Sequence, residues 1–144
     1  MSKGDQAVAC FKKGFSCSQA ILATYAEDYG LPRDTALKLA DGFGGGIADR
    51  GDTCGAVAGA IMVVGLRYGR EKARDRKAKD QTTETVQEFI RRFEARSKSI
   101  MCRDLLGCEI DTPEKMEAAS KKGLFRDICV RVVRDAAEIL EELL

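Results

Sequence analysis

The stretch GFGGGIADRGDTCGAVAGAIMVVG, residues 42–65, decides how the rest of the chain is read. Gly44, Gly45 and Gly46 lead into a lone cysteine, Cys54, which opens an apolar run of small residues. Three folds accommodate such a stretch: a nucleotide-binding α/β domain, a membrane protein, or a helical domain that mounts a reactive thiol. A phosphate loop of the G-x-x-x-x-G-K-[ST] type needs a lysine followed by Ser or Thr, and after Gly46 the chain reads IADRGDTC. A dinucleotide fingerprint needs a strand before its glycines, and none is readable here. Asp49 and Asp52 would also repel phosphate. The apolar run AVAGAIMVVGL, 56–66, has 11 residues, whereas a bilayer span takes roughly 20. No membrane insertion is expected. The helical reading remains, with the glycines as a sharp turn that lets backbone run close past a buried group.

The flanking sequence agrees. Helices are expected from about Asp5 to Lys13, and over SCSQAILATYAEDYG (16–30), where Ser16 and Gln19 form a capping box and Gly30 marks the end. A short helix around Ala36–Ala40 is closed by Gly42, and Asp52 or Thr53 caps the helix that contains Cys54. Val86, Phe89, Ile90 and Phe93 give TETVQEFIRRFEARSKSI (83–100) an amphipathic period. Ser99 caps IMCRDLLG, and Thr112 with Pro113 opens DTPEKMEAASKKG. The last helix sets Phe125, Cys129, Val133, Ala136, Leu140 and Leu143 on one stripe, which turns Cys129 toward the core. RYGREKARDRKAKDQTT (67–83) carries seven basic and three acidic residues and reads as a solvated helix end or linker, with a partner-docking patch as the lesser reading. At 144 residues, with no internal repeat, the chain is expected to form one all-α domain over 1–144, a compact bundle of about six to seven helices.

Composition narrows the function. The net charge is +1 and basic residues do not interleave with aromatics, so nucleic acid is not an expected partner. The opening residues MSKGDQAVACFKKG lack the apolar core of a signal peptide, and a cytoplasmic location is expected. Six cysteines in a reducing compartment point to metal ligands, redox groups or core residues rather than a disulfide framework. Histidine is absent, which removes Ser-His-Asp and Cys-His catalysis, histidine-ligated zinc and histidine-ligated haem together.

Cys17, Cys54 and Cys102 each fall in the first turn of an expected helix, where free N–H groups and the helix dipole favour a thiolate and lower its pKa. Cys10 and Cys108 read as small core residues. Gaps of 37, 48 and 27 residues separate Cys17, Cys54, Cys102 and Cys129, so no local ligand pair exists. A site built from all four needs the folded bundle to assemble it.

These features resemble a known family. The stretch from Gly42 to Gly69 with its central CGAVAG, together with SCSQAIL, SIMCRDLLG and LFRDICVRVVRDAAEIL, is similar to the C-GCAxxG-C-C family of redox-active proteins over about residues 10–143. The resemblance implies an all-helical domain whose four signature cysteines are Cys17, Cys54, Cys102 and Cys129, with no settled substrate. It extends to a domain of split-Soret-type cytochromes c, in which such cysteines accompany an iron–sulfur centre. With no histidine and no haem attachment motif, the haem does not carry over.

The resulting expectation is a redox or electron-transfer protein whose four thiolates hold an iron–sulfur cluster of the [2Fe–2S] kind. Gly44, Gly45, Gly46 and Gly55 would wrap it, and a redox partner protein is implied. The alternatives are a metal-free thiol–disulfide protein with Cys54 as the attacking thiolate, a four-cysteine zinc site as the lesser metal, and a non-catalytic helical interaction module. The bare Gly/Ala side near Gly55 and Gly59 could pack within the monomer or across a homodimer, and packing within the monomer is favoured.

Overall fold

The computed structural model describes all residues, 1–144, as an all-α fold of eight α-helices. They are α1 (Lys3–Lys12), α2 (Cys17–Ala26), α3 (Arg33–Ala40), α4 (Gly55–Tyr68), α5 (Arg76–Ser97), α6 (Cys102–Leu106), α7 (Pro113–Lys121) and α8 (Val130–Leu143). The only β-type pairing is an isolated antiparallel bridge between Thr53 and Met101. No helix is long and apolar enough to cross a membrane.

α2 is the central helix. Nine of its ten residues are buried, Thr24 being the exception, because CSQAILATYA is apolar on nearly every side. Neighbours therefore surround it: α4, α3, α1 and α8 all pack against it. α4 comes closest, because a Cβ on Gly59 would lie 2.9 Å from the Ser18 carbonyl oxygen and 3.1 Å from Ile21 Cβ. The bare side of α4 is thus used within the chain. α8 presents Val132, Val133, Ala136, Ala137, Ile139 and Leu140 to the core and pairs with α1. α5 adds Phe89 and Phe93, fully buried with ring centroids 6.0 Å apart. Burying each phenyl contributes roughly 1.5–3 kcal/mol. Arg92 and Arg96 of α5 reach Asp135, Glu138 and Glu142 of α8 at 2.9–3.3 Å. Exposed pairs of this kind add little stability and chiefly set register.

Boundaries differ from expectation where capping chemistry lies outside the periodic residues. α1 starts at Lys3, because Ser2 and Asp5 form a reciprocal capping box. α5 starts at Arg76, inside the charged run, because the Asp75 side chain accepts from the Ala78 N–H at 3.1 Å. Eight helices appear because the five-residue α6 forms a separate element. Cys54 itself, and not Asp52 or Thr53, occupies the N-cap of α4. Asp52 is instead drawn to Arg103 at 3.2 Å.

The core has two parts. A main cluster of 25 buried residues fills the bundle, with Cys10, Cys17 and Cys54 among them. A cluster of four, Cys102, Leu106, Ile110 and Ala119, lies beneath α6 and α7, with Cys108 and Cys129 packed against it.

Candidate thiol centre

The glycine stretch forms an unusual loop. After α3 a 3-10 turn, Asp41–Phe43, delivers Gly44 in an extended conformation. Gly45, Gly46, Ile47, Ala48 and Asp49 then all carry left-handed φ angles, at 66°, 71°, 66°, 49° and 61°. For a residue with a Cβ this region costs about 1–2 kcal/mol. The turn is held by backbone N–H groups of Ala48, Asp49, Gly51 and Asp52, which donate to the carbonyls of Gly42, Gly44, Gly45 and Gly46 at 2.8–3.2 Å. The N–H groups of Gly44, Gly45 and Gly46 find no acceptor within the protein.

Beyond the turn the loop is tied to α6. The Cys54 N–H donates to the Ile100 carbonyl, and the Cys102 N–H to the Asp52 carbonyl, both at 2.7 Å. Cys54 and Cys102, far apart in sequence, are thereby held on adjacent strands of one bridge. Cys17 opens α2, where the Ser16–Gln19 capping box forms as expected. Ser18 donates to the Ala40 carbonyl at 2.8 Å and the Gln19 amide to the Leu37 carbonyl at 2.9 Å, locking this helix start against α3.

Two glycines shape the space around the sulfurs. A Cβ on Gly55 would sit 2.6 Å from Cys17 Sγ, and one on Gly46 would sit 2.6 Å from Cys102 Cβ. Cys129 ends a π-helical turn, Phe125–Cys129, that precedes α8. It is half-buried and faces the small second cluster, so the continuous core stripe expected from Phe125 through Leu143 is broken at its start. The extra residue of a π-turn rotates the side chains before it off the α8 stripe.

The thiols act on one another electrostatically. The Cys17 thiol is lowered to about 7, first because Cys54 donates a hydrogen bond to it, and further by the N–H groups of Ala56, Ser18 and Cys17, against the effect of burial. Cys54 is pushed well up, since it holds the proton it shares with Cys17 and is itself buried beside that charge. Burial pushes Cys102 up to about 12, with Cys17, Asp49 and Cys108 adding to it. Cys129 is raised by burial and then by Cys17 and Cys102. Of these thiols only Cys17 is lowered, first by its partner thiol and then by N–H groups of helix starts; at Cys54 the N–H groups of Val57 and Ala56 act in the same direction but the partner thiol and burial outweigh them, and at Cys102 burial dominates.

Cys17 and Cys54 belong to the main core cluster, Cys102 belongs to the second and Cys129 packs against the second. Gly46 and Gly55 leave space beside Cys102 and Cys17, and the loop carries three N–H groups without acceptors. These features suit a group bearing several sulfur atoms, which thiolates ligate and N–H groups hydrogen-bond. No three Cys, Asp or Glu side chains are arranged to hold a single metal ion. Cys10 stands apart in the main core, with Arg33 Nη2 at 3.6 Å from its sulfur.

The family model described as "Putative redox-active protein (C_GCAxxG_C_C)" matches residues 15–143. The chain belongs to this family. No curated protein and no solved structure matches it. Sequence reasoning did not find the neighbourhood of Cys108 to Cys102, the Asp52–Arg103 ion pair or the Thr53–Met101 bridge. The ion pair and the bridge arise from pairing across about 50 residues, which leaves no local pattern.

Proposed function

We propose that the chain is a redox protein in which Cys17, Cys54, Cys102 and Cys129 ligate a [2Fe–2S] cluster. The observation that carries this reading is the seam itself: two thiols from each of two core clusters, beside three glycine N–H groups without acceptors. A two-iron cluster asks for two thiolates per iron and so for two pairs rather than one tight tetrahedron. When bound, such a cluster supplies one-electron transfer. The chain's own groups do the rest. Cys54, Cys102 and Cys129 would give up their protons to ligate it, Gly44–Gly46 would offer N–H groups to its sulfurs, and burial would keep water from the site. A partner protein that delivers or removes the electron belongs to this reading.

One observation favours a second reading. Cys17, lowered to about 7 and hydrogen-bonded by Cys54, has the layout of an attacking and a resolving thiol. Cys17 thiolate would attack one sulfur of a substrate disulfide and release the other as thiolate. Cys54 would then lose its proton and displace the second substrate sulfur, closing a Cys17–Cys54 disulfide. In this version Cys17, and not Cys54, attacks.

Anaerobic reconstitution with ferrous iron and sulfide, followed by visible spectroscopy and metal assay, decides between them. The expected product is coloured, with about two irons and two acid-labile sulfides per chain. A colourless, metal-free protein that reversibly oxidises to a Cys17–Cys54 disulfide would establish the second reading and overturn the first.

A further inference from the structure

At the opposite end of α4 from Cys54, Arg70, Lys79, Thr82 and Thr83 line a cavity of about 240 Å³ together with Gly69. This is where the basic run 67–83 folds back on itself. Lys79, Thr82 and Thr83 stand at i, i+3 and i+4 on α5 and therefore share one face. The acidic residues of that helix start lie elsewhere: Asp80 and Glu84 line a separate depression with Arg76, Lys77 and Gln81. Asp75 caps α5, and Asp80 pairs with Arg76 at 3.4 Å. No carboxylate lines the cavity, and neither Arg70 nor Lys79 makes an ion pair. The Arg70, Lys79 and Thr83 side chains are exposed on it, whereas the Thr82 hydroxyl is out of contact with solvent and Thr82 contributes only wall.

We propose that this cavity binds a tetrahedral oxyanion, either inorganic phosphate or the phosphoryl group of a small phosphate monoester. A guanidinium, an ammonium and the Thr83 hydroxyl match the charge and acceptor chemistry of phosphate. The volume lies below the roughly 300–1,000 Å³ of drug-sized ligand sites and suits a single phosphoryl group with a small substituent. No aromatic side chain lines it on which a base could stack, which sets it apart from a nucleic-acid surface. The proposal is independent of what the thiols hold.

The test is an amide-resolved NMR titration of the full chain with inorganic phosphate, against sodium chloride at matched ionic strength, with glycerol 3-phosphate as a second arm. Saturable shifts confined to Gly69, Arg70 and the 79–83 turn are expected. Arg70→Gln and Lys79→Gln should each weaken binding about tenfold, as loss of a charge-assisted contact does. Thr83→Val keeps the β-branched shape and should weaken it about threefold while the rest of the spectrum stays unchanged. Lys77→Gln, which lines the neighbouring depression, should leave affinity unaltered. Tighter binding of the ester supports a metabolite ligand, and equal binding supports free phosphate. Shifts that follow ionic strength alone, or an Arg70→Gln protein that binds as the parent does, would overturn the proposal.

Discussion

The main core and the small cluster beneath α6 and α7 bury cysteine on different terms. Cys10 lies among Ala7, Val8 and the α8 face, in a region where helical period and burial coincide. Around Cys102 and Cys129 the second cluster has four buried residues, a helix of five, a π-turn and a left-handed loop alongside. Cys17 and Cys54 stand where the two meet. Departures from local regularity gather around these four sulfurs and not around Cys10. That is the pattern expected when a site, and not packing, sets the backbone.

The comparison can be broken by perturbing each side. Phe93→Ala in the main core should cost about 3–5 kcal/mol of unfolding free energy, measured by urea denaturation, because a fully buried ring leaves a cavity. It should leave the reactivity pattern of the thiols intact in the fraction that folds. Gly46→Ala attacks the seam instead. Its Cβ, at φ 71°, would meet the Asp52 backbone nitrogen and Cys102 Cβ at 2.6 Å each. A loss of about 2–4 kcal/mol is expected from the left-handed strain and the clash together. The reconstituted chromophore should fall with it, whereas Gly42→Ala, which has open space around its Cβ, should preserve both.

The pH dependence of the reduced, metal-free chain sharpens the contrast. Cys54, Cys102 and Cys129 have raised folded-state pKa values, so their thiols contribute stability below the ordinary thiol pKa of 9.0 and lose it as pH rises beyond. In that range the unfolded chain binds fewer protons than the native one, and the slope is negative. Each thiol should remove about 1 kcal/mol per pH unit above 9, read from denaturation midpoints. Cys17 has the opposite sign: lowered to about 7, it adds stability as pH climbs from 7 to 9. Cys102→Ser should flatten the alkaline slope, and a slope unchanged in that variant would contradict the burial of this thiol. The smallest effect belongs to the loop. Ala48→Gly removes an exposed methyl at φ 49° and should stabilise the chain by about 0.5–1 kcal/mol, a rise of about 2 °C in Tm.

Much of this was legible in the residues. The amphipathic period of α5, the Ser16 capping box and Thr112–Pro113 at α7 each rest on a few neighbouring side chains, and each formed. The absence of histidine removed histidine-based catalysis and metal ligation before any geometry was known. What stayed hidden depends on remote pairing. Asp52 is a good capping residue, yet Arg103 competes for its carboxylate from α6. Nothing in Ile47 or Ala48 marks a left-handed residue; the surrounding hydrogen bonds impose it. The π-turn before Cys129 differs from an α-helix by one residue of register, which the apolar pattern of 124–133 tolerates either way.

The most direct measurement replaces each of the six cysteines by serine, one at a time, and records the visible spectrum after anaerobic reconstitution. Loss or marked change of the chromophore is expected for Cys17, Cys54, Cys102 and Cys129, while Cys10→Ser and Cys108→Ser should keep the parent spectrum and iron content. A spectrum that survives Cys129→Ser, or one abolished equally by Cys10→Ser, would contradict a centre built from two thiols of each core cluster.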